Sequence, residues 1–336
     1  MDRHEIEQVF HIQYRGFLDY CNFSCNYCPF SKKSYSLKKE KMDRNCLFKL
    51  FLKLKKETQP ITLQIVPYGE ALIYSYYWEF LAKVSQLPQV LAIGCQTNAS
   101  FSVEKMIAVF LAQGGKLEKL RLWCSFHPTM ISAEKFFLKI QELRQYSIKL
   151  CVGAVANPLE KQAIVQLFSM LPKDIYFWLN KMDGRKQPYT IEESDFFKTI
   201  DPFFFLEEAH FLADPKNCSS KNLFIEANGD YFACNISKIS LGNIYNDKKM
   251  LHSYILENQW NKKKCACKEC HCFLAYQNRF DLIPELFLFF PYPAFRIITY
   301  YQAAFLNLDN IFREAEKVKK IEKIERIVRI VNYHHF

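Results

Sequence analysis

Phe10–Cys28 reads FHIQYRGFLDYCNFSCNYC, an apolar run that leads straight into a loop carrying Cys21, Cys25 and Cys28. The run Phe10 to Phe17 predicts a strand, and the C-x3-C-x2-C spacing after it places three thiolates on one short loop. A four-iron four-sulfur cluster normally takes four Cys ligands, so a loop that offers three leaves one iron open to another ligand. A zinc knuckle would want a fourth ligand at close spacing, and a disulfide would want an oxidising compartment. Neither suits this loop.

The same alternation continues along the chain. Candidate strands are Phe10 to Phe17, Ile61 to Val66, Val90 to Cys95, Leu120 to Cys124, Ile148 to Val155 and Ile175 to Leu179. Between them Cys46 to Leu54, Tyr76 to Val84, Val103 to Leu111, Ala133 to Leu143 and Glu160 to Met170 repeat their apolar residues at helical spacing. Parallel strands need long crossovers, and these crossovers are helix-length. The expected fold class is therefore α/β, a parallel sheet curved into a partial (β/α)6 TIM-like barrel. Functional residues of such a barrel sit on loops after the strands' C-terminal ends. The three cysteines occupy that place after the first strand.

The other strand ends supply further candidates. Gly69 permits close backbone approach and Glu70 can accept from an ammonium group. Gln96, Thr97 and Asn98 follow the third strand, and Ser125 with His127 follows the fourth. These are polar groups suited to a ribose, a carboxylate or the substrate. In the fifth strand Gly153 thins an apolar surface against which an adenine could lie. Cys46, Cys95, Cys124 and Cys151 sit among apolar neighbours and are expected in the core, as free cysteines commonly are.

A second array follows the sixth strand. Cys218 is followed by the run FIEANGDYFAC, which ends at Cys234 and in which Asn228, Gly229 and Asp230 make a hairpin turn, and Cys265, Cys267, Cys270 and Cys272 follow within KCACKECHC. The hairpin would bring Cys218 and Cys234 together, and the four clustered cysteines would close over them. One cluster on Cys218, Cys234, Cys267 and Cys270, with Cys265 and Cys272 as alternative ligands, is the preferred arrangement. A structural zinc site is the alternative, since C-x2-C is its usual half-site.

The C-x3-C-x2-C loop, the Tyr68-Gly69-Glu70 segment, the QTN and WCSFHP strand ends, VGAV, GDYFAC and LGNIYND together resemble the radical S-adenosylmethionine (SAM) superfamily, in a bacterial family with no assigned substrate. The resemblance spans about residues 8 to 275. It implies that the open iron of a 4Fe-4S cluster on Cys21, Cys25 and Cys28 chelates SAM, and that an electron from the cluster yields a 5′-deoxyadenosyl radical. It further implies SAM contacts from Gly69 and Glu70, and an adenine neighbourhood around Tyr27. The family's Gly-Gly-Glu segment has Tyr68 in place of its first Gly here. The second array resembles the C-terminal SPASM or twitch extension, which holds auxiliary clusters, through Gly229 to Cys234 and the LGNI segment. Peptide or protein substrates and an external electron donor such as flavodoxin or ferredoxin are what such relatives imply. A scaffold that binds metal without cleaving SAM is the competing class.

Composition adds limits. The chain has 336 residues, 50% apolar and 24% charged, with 13 cysteines and a net charge of +10. That suits a globular protein with one large domain and a smaller one, and the expected division is 1–205 for the barrel, 206–276 for the Cys-rich region and 277–336 for a helical tail. Lys and Arg lie in short scattered runs without interleaved aromatics, so no nucleic-acid partner is expected. MDRHEIEQVF lacks a signal pattern, which with the many thiols points to the cytoplasm. Leu286 to Phe295 is broken by Pro291 and Pro293 and too short to span a bilayer. Val318, Ile321, Ile324, Val328 and Val331 recur at helical spacing among basic residues, an amphipathic helix expected to dock on its own barrel.

Overall fold

The computed structural model describes residues 9–28, 30, 33–146, 148–208, 211–212, 222–235, 237, 239–260 and 269–270. Strands β1 (Phe10–Arg15), β2 (Ile61–Ile65), β3 (Val90–Thr97), β4 (Leu120–Phe126), β5 (Lys149–Val155) and β6 (Phe177–Asn180) lie side by side in sequence order, all parallel. The crossovers hold helices α1 (Leu37–Lys56), α2 (Ser75–Ser85), α3 (Val103–Ala112), α4 (Ala133–Arg144) and α5 (Lys161–Met170). This is the partial barrel that the strand and helix periodicities predict. The sheet does not close, and β6 forms one edge.

Beyond β6 come α6 (Ile191–Ile200), α7 (Phe204–Glu208), β7 (Phe211–Leu212), β8 (Asn222–Glu226), β9 (Asp230–Phe232), β10 (Gly242–Asn243), α8 (Leu251–Trp260) and β11 (Glu269–Cys270). The β8–β9 hairpin turns at Asn228–Asp230, with Gly229 at a φ of 94° that favours glycine. Strand β8 then pairs in parallel with β1, so this hairpin and β10 extend the barrel sheet to nine strands. Strands β7 and β11 form a separate antiparallel pair.

Period-two alternation sorts the strand side chains. Ile12, Leu63, Ile93, Leu122 and Val152 join Leu50, Leu81, Ile107, Ile140 and Ile164 of the helices in one core. The opposite face carries buried polar groups, among them His11, whose Nδ1 lies 2.9 Å from Thr62 Oγ1. Cys46, Cys95, Cys124 and Cys151 are buried, as expected. The β6 edge is blunted by side chains: the Leu179 N–H donates to Asp201 at 2.8 Å and the Lys181 N–H to Glu207 at 3.3 Å. Backbone donors satisfied in this way are not open to pairing with another chain.

Local signals explain the helix starts. Ser36 and Ser132 accept from the N–H groups of Lys39 and Lys135, and Thr190 with Glu193 forms a capping box at α6, a T-x-x-E signal legible in the sequence. No helix among the described residues is long and apolar enough to cross a membrane. The apolar segment 286–295, the amphipathic stretch 318–331 and Cys218, Cys265, Cys267 and Cys272 lie outside the described residues.

Candidate active site

The C-terminal ends of the parallel strands converge on a cavity of about 290 Å3. Arg15 reaches it from β1, Cys21, Cys25 and Cys28 from the loop after β1, Gly69 and Glu70 from beyond β2, and Gln96, Thr97 and Asn98 from β3. Ser125 and His127 come from β4, Val155 from β5 and Asn180 from β6. Asn235, beyond β9, also lines it, so residues from both edges of the open sheet meet at one mouth.

Cys25 is buried and Cys21 and Cys28 are half-buried. The Cys28 N–H donates to the Cys25 carbonyl at 3.2 Å, and the Phe23 N–H lies 3.4 Å from Cys21 Sγ. Burial first, and then the neighbouring Cys21 and Cys28, push the Cys25 thiol up to about 11. A thiol raised in this way gives up its proton readily when a cation compensates the thiolate, which suits Cys25 to iron. Among the described residues no three Cys, His, Asp or Glu side chains converge on a single metal ion. A cubane takes its thiolates one per iron, so its ligands spread rather than converge.

A second set of contacts holds the loop in place. Asn98 Nδ2 donates to Asn22 Oδ1 at 3.1 Å and lies 3.7 Å from Cys21 Sγ. The next residue, Ala99, has a φ of 55°, the left-handed region that costs a non-glycine residue about 1 kcal/mol. Its N–H donates to Thr97 Oγ1 at 3.0 Å. Strain of this sort survives where surrounding contacts fix it, here in the turn that carries Asn98.

Glu70 is the deepest ionisable group of the cavity, 3% exposed. Its carboxylate accepts the Leu72 N–H at 2.9 Å, the Thr97 hydroxyl at 2.9 Å and the Asn98 N–H. Burial outweighs these three bonds and lifts its pKa to about 7. Gly69 lies against the main chain: a Cβ there would fall 1.9 Å from the Tyr20 carbonyl oxygen. The Glu70 N–H donates to that same carbonyl at 2.9 Å, which joins the segment after β2 to the cysteine loop.

The remaining candidates divide. Gln96 Nε2 donates to Ser125 Oγ at 3.4 Å, and both line the cavity. Tyr27 lines it too, its hydroxyl 2.9 Å from His127 Nδ1, and burial lowers His127 to about 4 so that the imidazole is neutral at pH 7. Gly153 is not among the lining residues. A Cβ there would sit 2.0 Å from Trp123 Nε1, so its glycine makes room for an indole on the neighbouring strand. Tyr68, the departure from Gly-Gly-Glu, stacks on Phe30 with ring centroids 4.9 Å apart, and the Arg15 guanidinium lies 4.1 Å from its ring.

Cys234 lies two residues beyond β9 and is half-buried, and Cys270 closes β11. Arg15, Asn180, Lys181, Asp183 and Glu207 also line the cavity, and none of them belongs to the motifs that stand out in the sequence. Position at a strand end was the available signal for the first two. Glu207 offers none, because a short helix beyond the barrel delivers it.

No protein-family model matches the chain, and no curated protein matches it. Solved structures do. Native anSMEcpe with bound AdoMet, an anaerobic sulfatase-maturating radical SAM enzyme, matches with a TM-score of 0.55 at 14% identity over 97% of this chain and 99% of that chain. Native anSMEcpe with bound AdoMet and Cp18Cys peptide matches with a TM-score of 0.54 at 14% identity, over 97% and 99%. The form with Kp18Cys peptide gives 0.53 at 13% identity, over the same shares. At such identity the likeness is one of fold.

Proposed function

We propose that this chain, whose fold is that of the radical SAM superfamily, reductively cleaves AdoMet at a 4Fe-4S cluster and abstracts hydrogen from a peptide or protein substrate. The observation that carries the reading is the meeting of Cys21, Cys25, Cys28 and Glu70 in one cavity at the strand ends. When bound, the cluster supplies the electron that splits the sulfonium of AdoMet, and the protein's part is to bind and orient.

Each residue has a definite task in this reading. Cys21, Cys25 and Cys28 hold three irons, and Asn98 with Asn22 fixes the loop that carries them. Glu70, ionised as the cofactor arrives, accepts the AdoMet ammonium. Gly69 lets the segment press against Tyr20 so that the carboxylate reaches the cavity. Gln96, Asn98 and Ser125 offer hydrogen bonds to ribose and carboxylate, and Tyr27, braced by neutral His127, borders the adenine. Cys234 and Cys270, with Cys218 and Cys267, supply the ligands of one auxiliary cluster, and Cys265 and Cys272 are the alternative ligands. An external donor such as flavodoxin or ferredoxin delivers the electron. The peptide-bound forms of anSMEcpe support a peptide partner.

The test is reductant-dependent formation of 5′-deoxyadenosine by anaerobically reconstituted protein. Wild type is expected to form it and Cys25→Ala to form none. Equal yields from the two would sink the reading.

A further inference from the structure

Along the β6 side the cavity wall carries polar groups for which the proposed AdoMet chemistry has no use. Asn180 ends β6, and its Oδ1 is buried and meets no hydrogen-bond donor among the described residues. Glu207, 4% exposed, stands beside it in the same wall, with one carboxylate oxygen accepting the Lys181 N–H. Lys181 and Asp183 also border the cavity, opposite in sign and nearer solvent than Glu207.

A buried carbonyl oxygen without a donor costs on the order of 1–3 kcal/mol, and a ligand that supplies the donor recovers that cost. Two acceptors in one wall, one of them a carboxylate, are complemented by a group that donates several hydrogen bonds and carries positive charge. A hydroxyl donates once and carries none. We propose that the wall formed by Asn180 and Glu207 is the substrate-recognition subsite and takes a primary ammonium group, such as a lysine side chain or a peptide N-terminus. The proposal rests on the reading of this cavity as the active site. Glu207 also blunts the β6 edge through the Lys181 N–H, so Asn180 is the residue to test.

Titration of the full chain with n-butylammonium and, separately, with its neutral counterpart 1-butanol, followed by saturation-transfer NMR, reads the subsite directly. Wild type is expected to bind n-butylammonium about tenfold more tightly than 1-butanol. Asn180→Leu removes the acceptor and is expected to erase the preference. Asn180→Asp keeps shape, adds a charge and is expected to widen it, a gain that misfolding cannot mimic. Glu70 is intact in both variants, so a change in preference localises binding to β6. Loss in the first variant or gain in the second supports the proposal. Equal affinities in wild type, or a preference that neither substitution moves, overturns it. A chain that forms 5′-deoxyadenosine yet shows no preference for the amine loses this subsite and keeps the AdoMet reading. The converse result does the opposite.

Discussion

Asp43 Oδ1 accepts the backbone N–H of Phe17 at 2.7 Å, so a side chain of α1 sets the angle at which the chain leaves β1 for the cysteine loop. Its other oxygen accepts the Tyr76 hydroxyl at 3.0 Å, and the residue is wholly buried. Asp43→Ala leaves a half-buried N–H and a buried hydroxyl without their acceptor, at about 1–3 kcal/mol for a buried group. A loss of about 3 kcal/mol in urea unfolding, together with less iron bound after reconstitution, is the expected outcome. An unmoved midpoint would remove Asp43 as the anchor of the loop.

Gly69 tests the other fastening of that loop. A methyl group there meets the Tyr20 carbonyl oxygen at 1.9 Å, and backbone cannot yield as a side-chain tip can. Gly69→Ala is expected to cost about 1–3 kcal/mol by overpacking. It should also shift the Glu70 carboxylate and weaken AdoMet binding. A variant that melts with wild type and binds AdoMet with unchanged affinity would show that the segment adapts freely.

The barrel was legible because its strands and helices announce themselves by period. Strands buried on both faces read as apolar runs, and each helical crossover between them keeps an apolar stripe. The cysteine loop was legible by spacing alone. Gly153 is less legible, since a glycine at a strand's centre looks alike whether it thins a surface for a ligand or makes room for an indole such as that of Trp123, while Val155 of the same run lines the cavity. Asn180 and Glu207 were passed over because their importance arises only when the sheet's curvature and a five-residue helix bring them to one wall. The parallel pairing of β8 with β1 was equally hidden, because nothing in a short apolar run names its partner strand.

Tyr68 is expected to stabilise the mouth rather than to obstruct it. Its hydroxyl accepts from Arg15 Nη1 at 2.9 Å, while its ring contacts that guanidinium and stacks on Phe30, two residues beyond Cys28. Tyr68→Gly, which writes the family's segment back in, is expected to cost about 1–2 kcal/mol through the lost stacking. Tyr68→Phe keeps the ring and is expected to cost less, about 0.5–1.5 kcal/mol for one hydrogen bond. Thermal melts of the pair check the order, and a reversed order would show that the hydroxyl, not the ring, carries the contact.

Glu70 is expected to make both stability and AdoMet affinity depend on pH, with opposite slopes. Its pKa in the fold, about 7, lies above the ordinary 4.5. A raised carboxyl pKa contributes stability that is fully present below the unfolded value and is lost as pH rises through the folded one. Without cofactor, the chain is therefore expected to lose up to about 3 kcal/mol between about pH 4.5 and pH 7 relative to Glu70→Gln. An arriving ammonium favours the ionised carboxylate and expels its proton. AdoMet affinity should thus rise almost tenfold per unit below about pH 7 and level off above it. Calorimetry in buffers of different ionisation enthalpy should detect up to one proton released on binding near pH 6. Glu70→Gln is expected to bind more weakly and without this slope. If the substituted chain keeps the slope, another group titrates and Glu70 does not meet the ammonium.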